Sequence, residues 1–224
     1  LKILKISLPN ILNMTVKVLA FLGSPRRGGN TERLLDSALK GAQSEGADIE
    51  KIYVHSKNIL PCGEIFDCLE NAGKCPIEDD MVEIYDKIKE TDILIVATPV
   101  MTLGIPAKLK ALMDRCQIFW AKKYILHDSY ISPEKKKHRK GLFISIAGLK
   151  WSKVFQGVTM TITAFFDIID MEYTANLLYN NMDNIGKIEN HPSAMKDAYD
   201  KGAELVRLVK QVDEFRKKGE KVCL

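Results

Sequence analysis

The chain has no hydrophobic run long enough to cross a bilayer: Asp, Lys or Gly interrupts every apolar stretch short of the roughly 20 residues a spanning helix needs. Residues 1–13, LKILKISLPNILN, lack a continuous apolar core and a small-residue cleavage site, and make a poor signal peptide. Charge of one sign is not in excess. The 33 basic and 29 acidic side chains leave a formal +4, too mild for a nucleic-acid partner but compatible with a phosphate-bearing ligand. Cysteine is scarce and odd in number, with three of the five crowded between Cys62 and Cys75. That is no secreted disulfide framework; it fits thiols of a reducing compartment, so a cytoplasmic protein is expected, with metal binding left open. No internal repeat, low-complexity tract or linker is present. Neither the dinucleotide GxGxxG pattern nor the nucleotide-triphosphate GxxxxGK(S/T) loop occurs.

What remains is a chain of 224 residues, 46% hydrophobic and 28% charged, the composition of an ordinary globular protein. Strands and helices alternate along it. VKVLAFLG at 16–23 reads as a buried strand, and the helix NTERLLDSALKGAQSEG follows, with Asn30 or Thr31 available to cap its start and Gly46 to close it. IEKIYV at 49–54 is a short strand, DDMVEIYDKIKE a helix, and DILIVATP at 92–99 the clearest central strand. Gly104 and Pro106 open a helix whose apolar face runs through Cys116. Residues 117–140 read as a connection ending in the basic run Lys135 to Lys140, and GLFISIAG at 141–148 as the fourth strand. Residues 151–169 are ambiguous by periodicity, but the alternation predicts a helix there, then MEYTANLL as the fifth strand and a long helix from His191 and Pro192 to about 215. Five parallel strands with helices on both faces make an α/β, doubly wound domain over 15–215, with 1–14 as an N-terminal extension and 216–224 as a C-terminal tail.

Ligands of such sheets bind beyond the carboxyl ends of the strands where strand order reverses, which singles out three loops. The first, from Ser24 to Thr31, reads as a phosphate cradle: backbone N–H groups and the helix dipole attract an anion, Gly28 and Gly29 allow close approach, Ser24, Asn30 and Thr31 add donors, and Arg26 adds charge. A glycine-rich turn with solvated arginines is the plain alternative. The second, Thr98 to Gly104, is mostly neutral and suits a flat heteroaromatic ring, with apolar walls and backbone groups at the ring's polar edge; it also reads as a packed connection. The third, Ala147 to Trp151, again lets backbone approach a ring. Together they suggest one ligand with two ends. His55, His127, His138 and His191 stand in no triad-like or metal-like arrangement and read as surface or capping residues, so no catalytic acid or base is assigned.

The GSPR-x-x-GNT loop, the TPV-x6-PAKLKALMDR segment and the GLFISIAG strand together resemble the flavodoxin-like NAD(P)H-dependent FMN reductases over residues 15–215. Within that superfamily, the block from Pro61-Cys62 through Cys75-Pro76-Ile77-Glu78-Asp79-Asp80-Met81, with FFDIIDMEY later, is similar to the iron-sulfur flavoproteins. The resemblance implies a flavodoxin-like fold of strand order 2-1-3-4-5 that binds FMN. It puts phosphate contacts on Ser24, Arg26, Gly29, Asn30 and Thr31, and ring contacts on Pro99, Val100, Met101, Thr102, Gly104, Ala147 and Gly148. It further implies NAD(P)H or a redox protein as electron donor, a small-molecule or protein acceptor, and a homodimer or homotetramer.

The iron-sulfur flavoproteins hold a four-iron cluster on a C-x2-C-x2-C-x4-7-C pattern. Here Cys62, Cys68 and Cys75 occupy the first, third and fourth positions, and Ile65, which cannot ligate iron, the second. Three outcomes stay open: a three-iron or water-ligated cluster, a thiol from elsewhere, of which Cys116 is the internal candidate, or no iron-sulfur cluster. Three function classes follow: an FMN-dependent oxidoreductase passing electrons to a quinone, flavin or redox protein; a flavodoxin-type electron carrier without small-molecule turnover; and a nucleotide-holding sensor. Carriers that dock on basic partners are acidic, whereas this chain carries the run Lys135 to Lys140, which could attract a phosphorylated cofactor or an acidic partner, although a solvated loop is its commoner meaning.

Overall fold

The computed structural model describes residues 15–71 and 73–217, with side chains described to 212. The expected extension over 1–14 and the tail beyond 217 lie outside the described residues. Apolar, β-branched runs form the strands β1 (Lys17–Leu22), β2 (Asp48–Tyr53), β3 (Ile93–Pro99), β4 (Lys140–Ile146) and β5 (Glu172–Tyr179), close to the expected bounds. They make one parallel sheet of order β2-β1-β3-β4-β5.

Because successive strand residues point to opposite faces, each strand feeds two cores. Val18, Ala20, Leu22, Ile93, Ile95, Leu142 and Ile144 pack under α1 (Asn30–Ser44) and the last helix, α9 (Ala194–Lys217). Leu19, Phe21, Leu94, Val96 and Phe143 face α3 (Met81–Glu90), α4 (Ala107–Arg115), α5 (Gln117–Trp120) and α7 (Gln156–Ile168). The ambiguous segment before β5 is thus helical, its Val158, Ile162, Phe165 and Phe166 buried against the sheet. Short helices α2 (Asp67–Glu70), α6 (Pro133–Lys136) and α8 (Met182–Ile185) complete the set. On the first face, α1 and α9 approach closely because Gly41 and Gly202 meet there: a Cβ on either would fall 1.9 Å from a backbone oxygen of the other helix. Among the described residues, no helix is long and apolar enough to cross a membrane.

Two expectations need correction. The stretch 117–140 is not an open connection: α5 places Phe119 in the second core and runs into a π-helical turn over Ala121–Ile125, in which Ala121 is buried, and α6 follows. The basic run is not a solvated loop either. Arg139 is fully buried and donates to the carbonyls of Ile169 (2.8 Å) and Ile88 (2.6 Å), burial pulling its guanidinium down to about 10. Lys136 pairs with the buried Asp170, and Lys140, already in β4, with Glu172. Lys140 also sits opposite Ile93, at the amino end of the sheet, away from the strand ends where a ligand of this fold binds. The run therefore ties β4 to its neighbours; His138 is buried with it, not on the surface.

Candidate functional site

Strands β1, β3 and β4 end side by side, and strand order reverses between β1 and β3. A cleft of about 470 Å³ opens there, in the usual range for small-molecule sites. Of the expected residues it gathers Ser24, Arg26, Gly29, Asn30 and Thr31 on one side and Pro99, Val100, Met101 and Gly148 on the other.

On the first side the sequence leaves a helix start open. Gly29 is the N-cap residue of α1, in extended conformation, and no side chain caps the first turn. The first N–H groups of a helix have no intrahelical acceptors and carry its positive dipole end, so an anion is the natural partner. Ser24 is buried at the mouth, its Oγ accepting from the Arg26 N–H (3.2 Å). Gly28 turns the loop at φ +64, a conformation a side chain resists. Asn30 does not cap α1, nor does Thr31. The Asn30 amide is engaged on backbone instead, donating to the Gly186 carbonyl (2.7 Å) and accepting from the Ile188 N–H (3.1 Å).

The second side begins where the Val100 N–H donates to the Ile146 carbonyl (2.9 Å), carrying the sheet one residue past β3. Met101 and Gly104 then pair reciprocally, N–H to carbonyl, at 3.0 and 2.9 Å. That closes a tight turn with Thr102 (φ +50) and Leu103 (φ +58) both left-handed. Non-glycine residues pay roughly 1–2 kcal/mol each for this conformation, and such strain concentrates at functional sites. Thr102 and Gly104 thus lie in the turn beyond the cleft lining. Ala147 is buried and not among the lining residues, its N–H donating to the Tyr179 carbonyl (2.9 Å) and its carbonyl accepting from the Met182 N–H (3.1 Å).

Sequence reasoning missed the far wall. Met182, Asp183 and Gly186, which follow β5, also line the cleft. Asp183 packs so closely on Gly148 that a Cβ there would meet its carboxylate at 2.3 Å. The signal was the pair Asn181 and Gly186, both at positive φ, flanking a single helical turn after the fifth strand. The ends of the cleft differ as the two loops imply, with backbone donors at one and Pro99, Val100, Met101 and Ile146 at the other. This donor set and size suit a phosphate joined to a flat ring system, which is what FMN presents.

The cysteine loop lies apart from the cleft lining. Its two ends are held by a fully buried ion pair: Arg115, from α4, donates to Asp79 Oδ2 (2.5 Å) and Oδ1 (3.2 Å), to the Leu60 carbonyl (3.0 Å) and to the Ile77 carbonyl (3.1 Å). Asp79 also accepts from the Leu60 and Met81 N–H groups, both at 2.9 Å. Burial alone would lift the Asp79 carboxyl, but the Arg115 guanidinium and these two amides hold it below its usual range. Cys62 and Cys68 line a separate cavity of about 620 Å³ with Glu64, Phe66 and Trp120, while Cys75 lines a neighbouring one. Burial, then the charges of Cys62 and Cys75, pushes the Cys68 thiol up. Cys116 is buried in the core, which raises its thiol. Ile65 is exposed, and among the described residues no three His, Cys, Asp or Glu side chains converge as a metal site. With Ile65 at the second position, the loop offers three thiols where the pattern has four. Of the histidines, His55 and His127 are exposed, and His191 Nδ1 accepts from the Ala194 N–H (3.2 Å) at the start of α9.

Known proteins resemble the chain in both sequence and shape. A family model described as NADPH-dependent FMN reductase matches residues 16–179. An iron-sulfur flavoprotein of Methanosarcina thermophila is 33% identical over 133 residues, 59% of this chain and 64% of that protein. One from Methanocaldococcus jannaschii is 45% identical over 100 residues, 45% of this chain and 51% of that protein. The match thus spans between half and two thirds of these relatives' length. An NAD(P)H:quinone oxidoreductase from Methanothermobacter marburgensis shares the fold at a TM-score of 0.63 and 16% identity, covering 85% of this chain and 99% of that one.

Proposed function

The chain belongs to the NADPH-dependent FMN reductase family, and from that premise we propose that it holds FMN in the cleft at the end of β1 and β3 and passes electrons from NAD(P)H to a quinone, flavin or redox-protein acceptor. One observation carries the reading: a single cleft joins the uncapped start of α1 to an apolar wall at the point where strand order reverses. Bound FMN supplies the hydride and electron chemistry, so no side chain is needed as acid or base.

The chain's own residues bind and orient. The first-turn amides of α1 and the Ser24 hydroxyl donate to the phosphate, and Arg26 adds charge from the rim. Asn30 serves through its backbone, its side chain being engaged with the 186–188 segment. Thr31, buried in the first turn, closes the cradle. Pro99, Val100 and Met101 wall one side of the ring, with Thr102 and Gly104 setting the turn. Gly148, without a side chain, lets backbone approach the other side, and Ala147 supports it from below. Met101, Leu103, Leu149 and Trp151 are exposed apolar side chains on these loops, which suits a homodimer or homotetramer that covers the mouth and limits water. The cysteine loop is left out of the electron route because its donor set is one thiolate short.

Anaerobic addition of NADH and then NADPH to the FMN-loaded protein, followed by flavin absorbance, tests the reading. Rapid bleaching by either coenzyme, with recovery on adding a quinone, is expected. Flavin that binds but is reduced by neither coenzyme makes the protein an electron carrier and refutes the reductase.

A further inference from the structure

Glu32 is an acid placed where an anion site has least use for one. It sits in the first turn of α1, is only 6% exposed, and lies three residues past the N-cap Gly29. A bare carboxylate there would repel a phosphate. Instead it is fully engaged: Oε2 accepts from the Gly28 N–H (2.6 Å), and Oε1 from the Tyr53 hydroxyl (2.5 Å) and Lys51 Nζ (3.1 Å). Lys51 is held in turn by Asp36 (2.6 Å). The loop is fastened around this point from outside as well. Arg27 lies over the Tyr53 ring, 3.5 Å from its centre, and Arg33 Nε donates to the Gly28 carbonyl (2.8 Å). Burial on its own would raise the Glu32 carboxyl; the bonds from Tyr53, Gly28 and Lys51 outweigh it and keep the group ionised.

We infer that Glu32 is a positioning residue for the phosphate end of the flavin site: by taking the Gly28 N–H it fixes the left-handed turn that leaves the following amides, at Gly29, Asn30 and Thr31, for the ligand's phosphate. This rests on the FMN reading above. Lys51, shared with Asp36, and the Tyr53 hydroxyl occupy the other carboxylate oxygen, so the turn is shaped with the acid's charge partly offset. The role differs from general support of the fold because it concerns one end of the ligand only. Removing Glu32 disturbs the recognition of phosphate and leaves the ring's walls, on β3 and β4, as they were.

Paired titrations with FMN and with riboflavin, which lacks the phosphate, read this out in the full-length protein as a ratio of dissociation constants. Wild type prefers FMN. In Glu32→Ala the FMN constant rises by about tenfold to a hundredfold, the effect of losing hydrogen bonds to a charged group, while the riboflavin constant changes by less than about threefold. Glu32→Gln, which keeps an acceptor for Gly28, restores most of the preference. Should Glu32→Ala not fold, Tyr53→Phe removes one bond to the same carboxylate and lowers the FMN-to-riboflavin preference by several-fold. Equal weakening of both flavins, or Glu32→Gln behaving like Glu32→Ala, overturns the positioning role and leaves the flavin reading intact. A wild-type protein that binds neither flavin overturns both.

Discussion

Replacing Arg115 by Met severs the knot that holds the cysteine loop to α4. Both charged side chains of the Arg115–Asp79 pair are fully buried, so the variant strands a carboxylate in the interior with only the Leu60 and Met81 amides for company. The carbonyls of Leu60 and Ile77 lose their donor as well. Breaking a buried pair on one side costs about 3–5 kcal/mol, a large part of a typical total of roughly 5–15 kcal/mol. In urea denaturation the midpoint should fall by roughly 1–2 M with the slope unchanged. Asp79→Asn alone also destabilises, and the double variant should be milder than the sum of the two by about 2 kcal/mol, because the buried charges disappear together. Acid sharpens the test. A carboxyl held below its unfolded value, near about 3.9, contributes stability that is complete above that value and lost as pH falls through the native one. The gap between wild type and Asp79→Asn should therefore narrow as pH drops below about 4. A loss under about 1 kcal/mol for Arg115→Met, or a strictly additive double variant, would refute the reasoning.

Other perturbations separate packing from site chemistry. Gly41→Ala and Gly202→Ala each drive a methyl into a backbone oxygen 1.9 Å away and should lower the melting temperature by at least about 4 °C in a thermal scan. Gly148→Ala should weaken FMN binding by about tenfold as its methyl displaces Asp183, and Asp183→Ala in the same chain should recover most of the loss, measured by flavin fluorescence titration. Changing Cys62, Cys68 and Cys75 together to Ser should leave the FMN stoichiometry unchanged, because none of the three lines the cleft proposed to hold it; loss of flavin would link the two sites.

The fold was legible because its strands are continuous apolar runs that parallel sheets require, and the first cleft-lining loop because Gly28 and Gly29 fall between the first strand and α1. Less visible were features set by distant contacts. Residues 156–168 lack a clean helical period because Phe165 and Phe166 both reach the core. The run from Lys135 to Lys140 looks solvated in sequence, yet its partners, Ile88, Ile169, Asp170 and Glu172, come from elements that only the sheet brings near. Asn30 carries the residue type of a helix cap but is drawn to the backbone at Gly186 and Ile188, 156 and 158 positions away. That same tether brings the unforeseen wall of Met182, Asp183 and Gly186 to the cleft.

A crystal structure of the protein with FMN tests the central claim most directly. The account predicts the phosphate on the first turn of α1 beside Ser24, with the ring system between the Pro99–Met101 segment and Gly148. Density for the flavin in the cavity beside Cys62 and Trp120, or an unchanged cleft at saturating FMN, would contradict it.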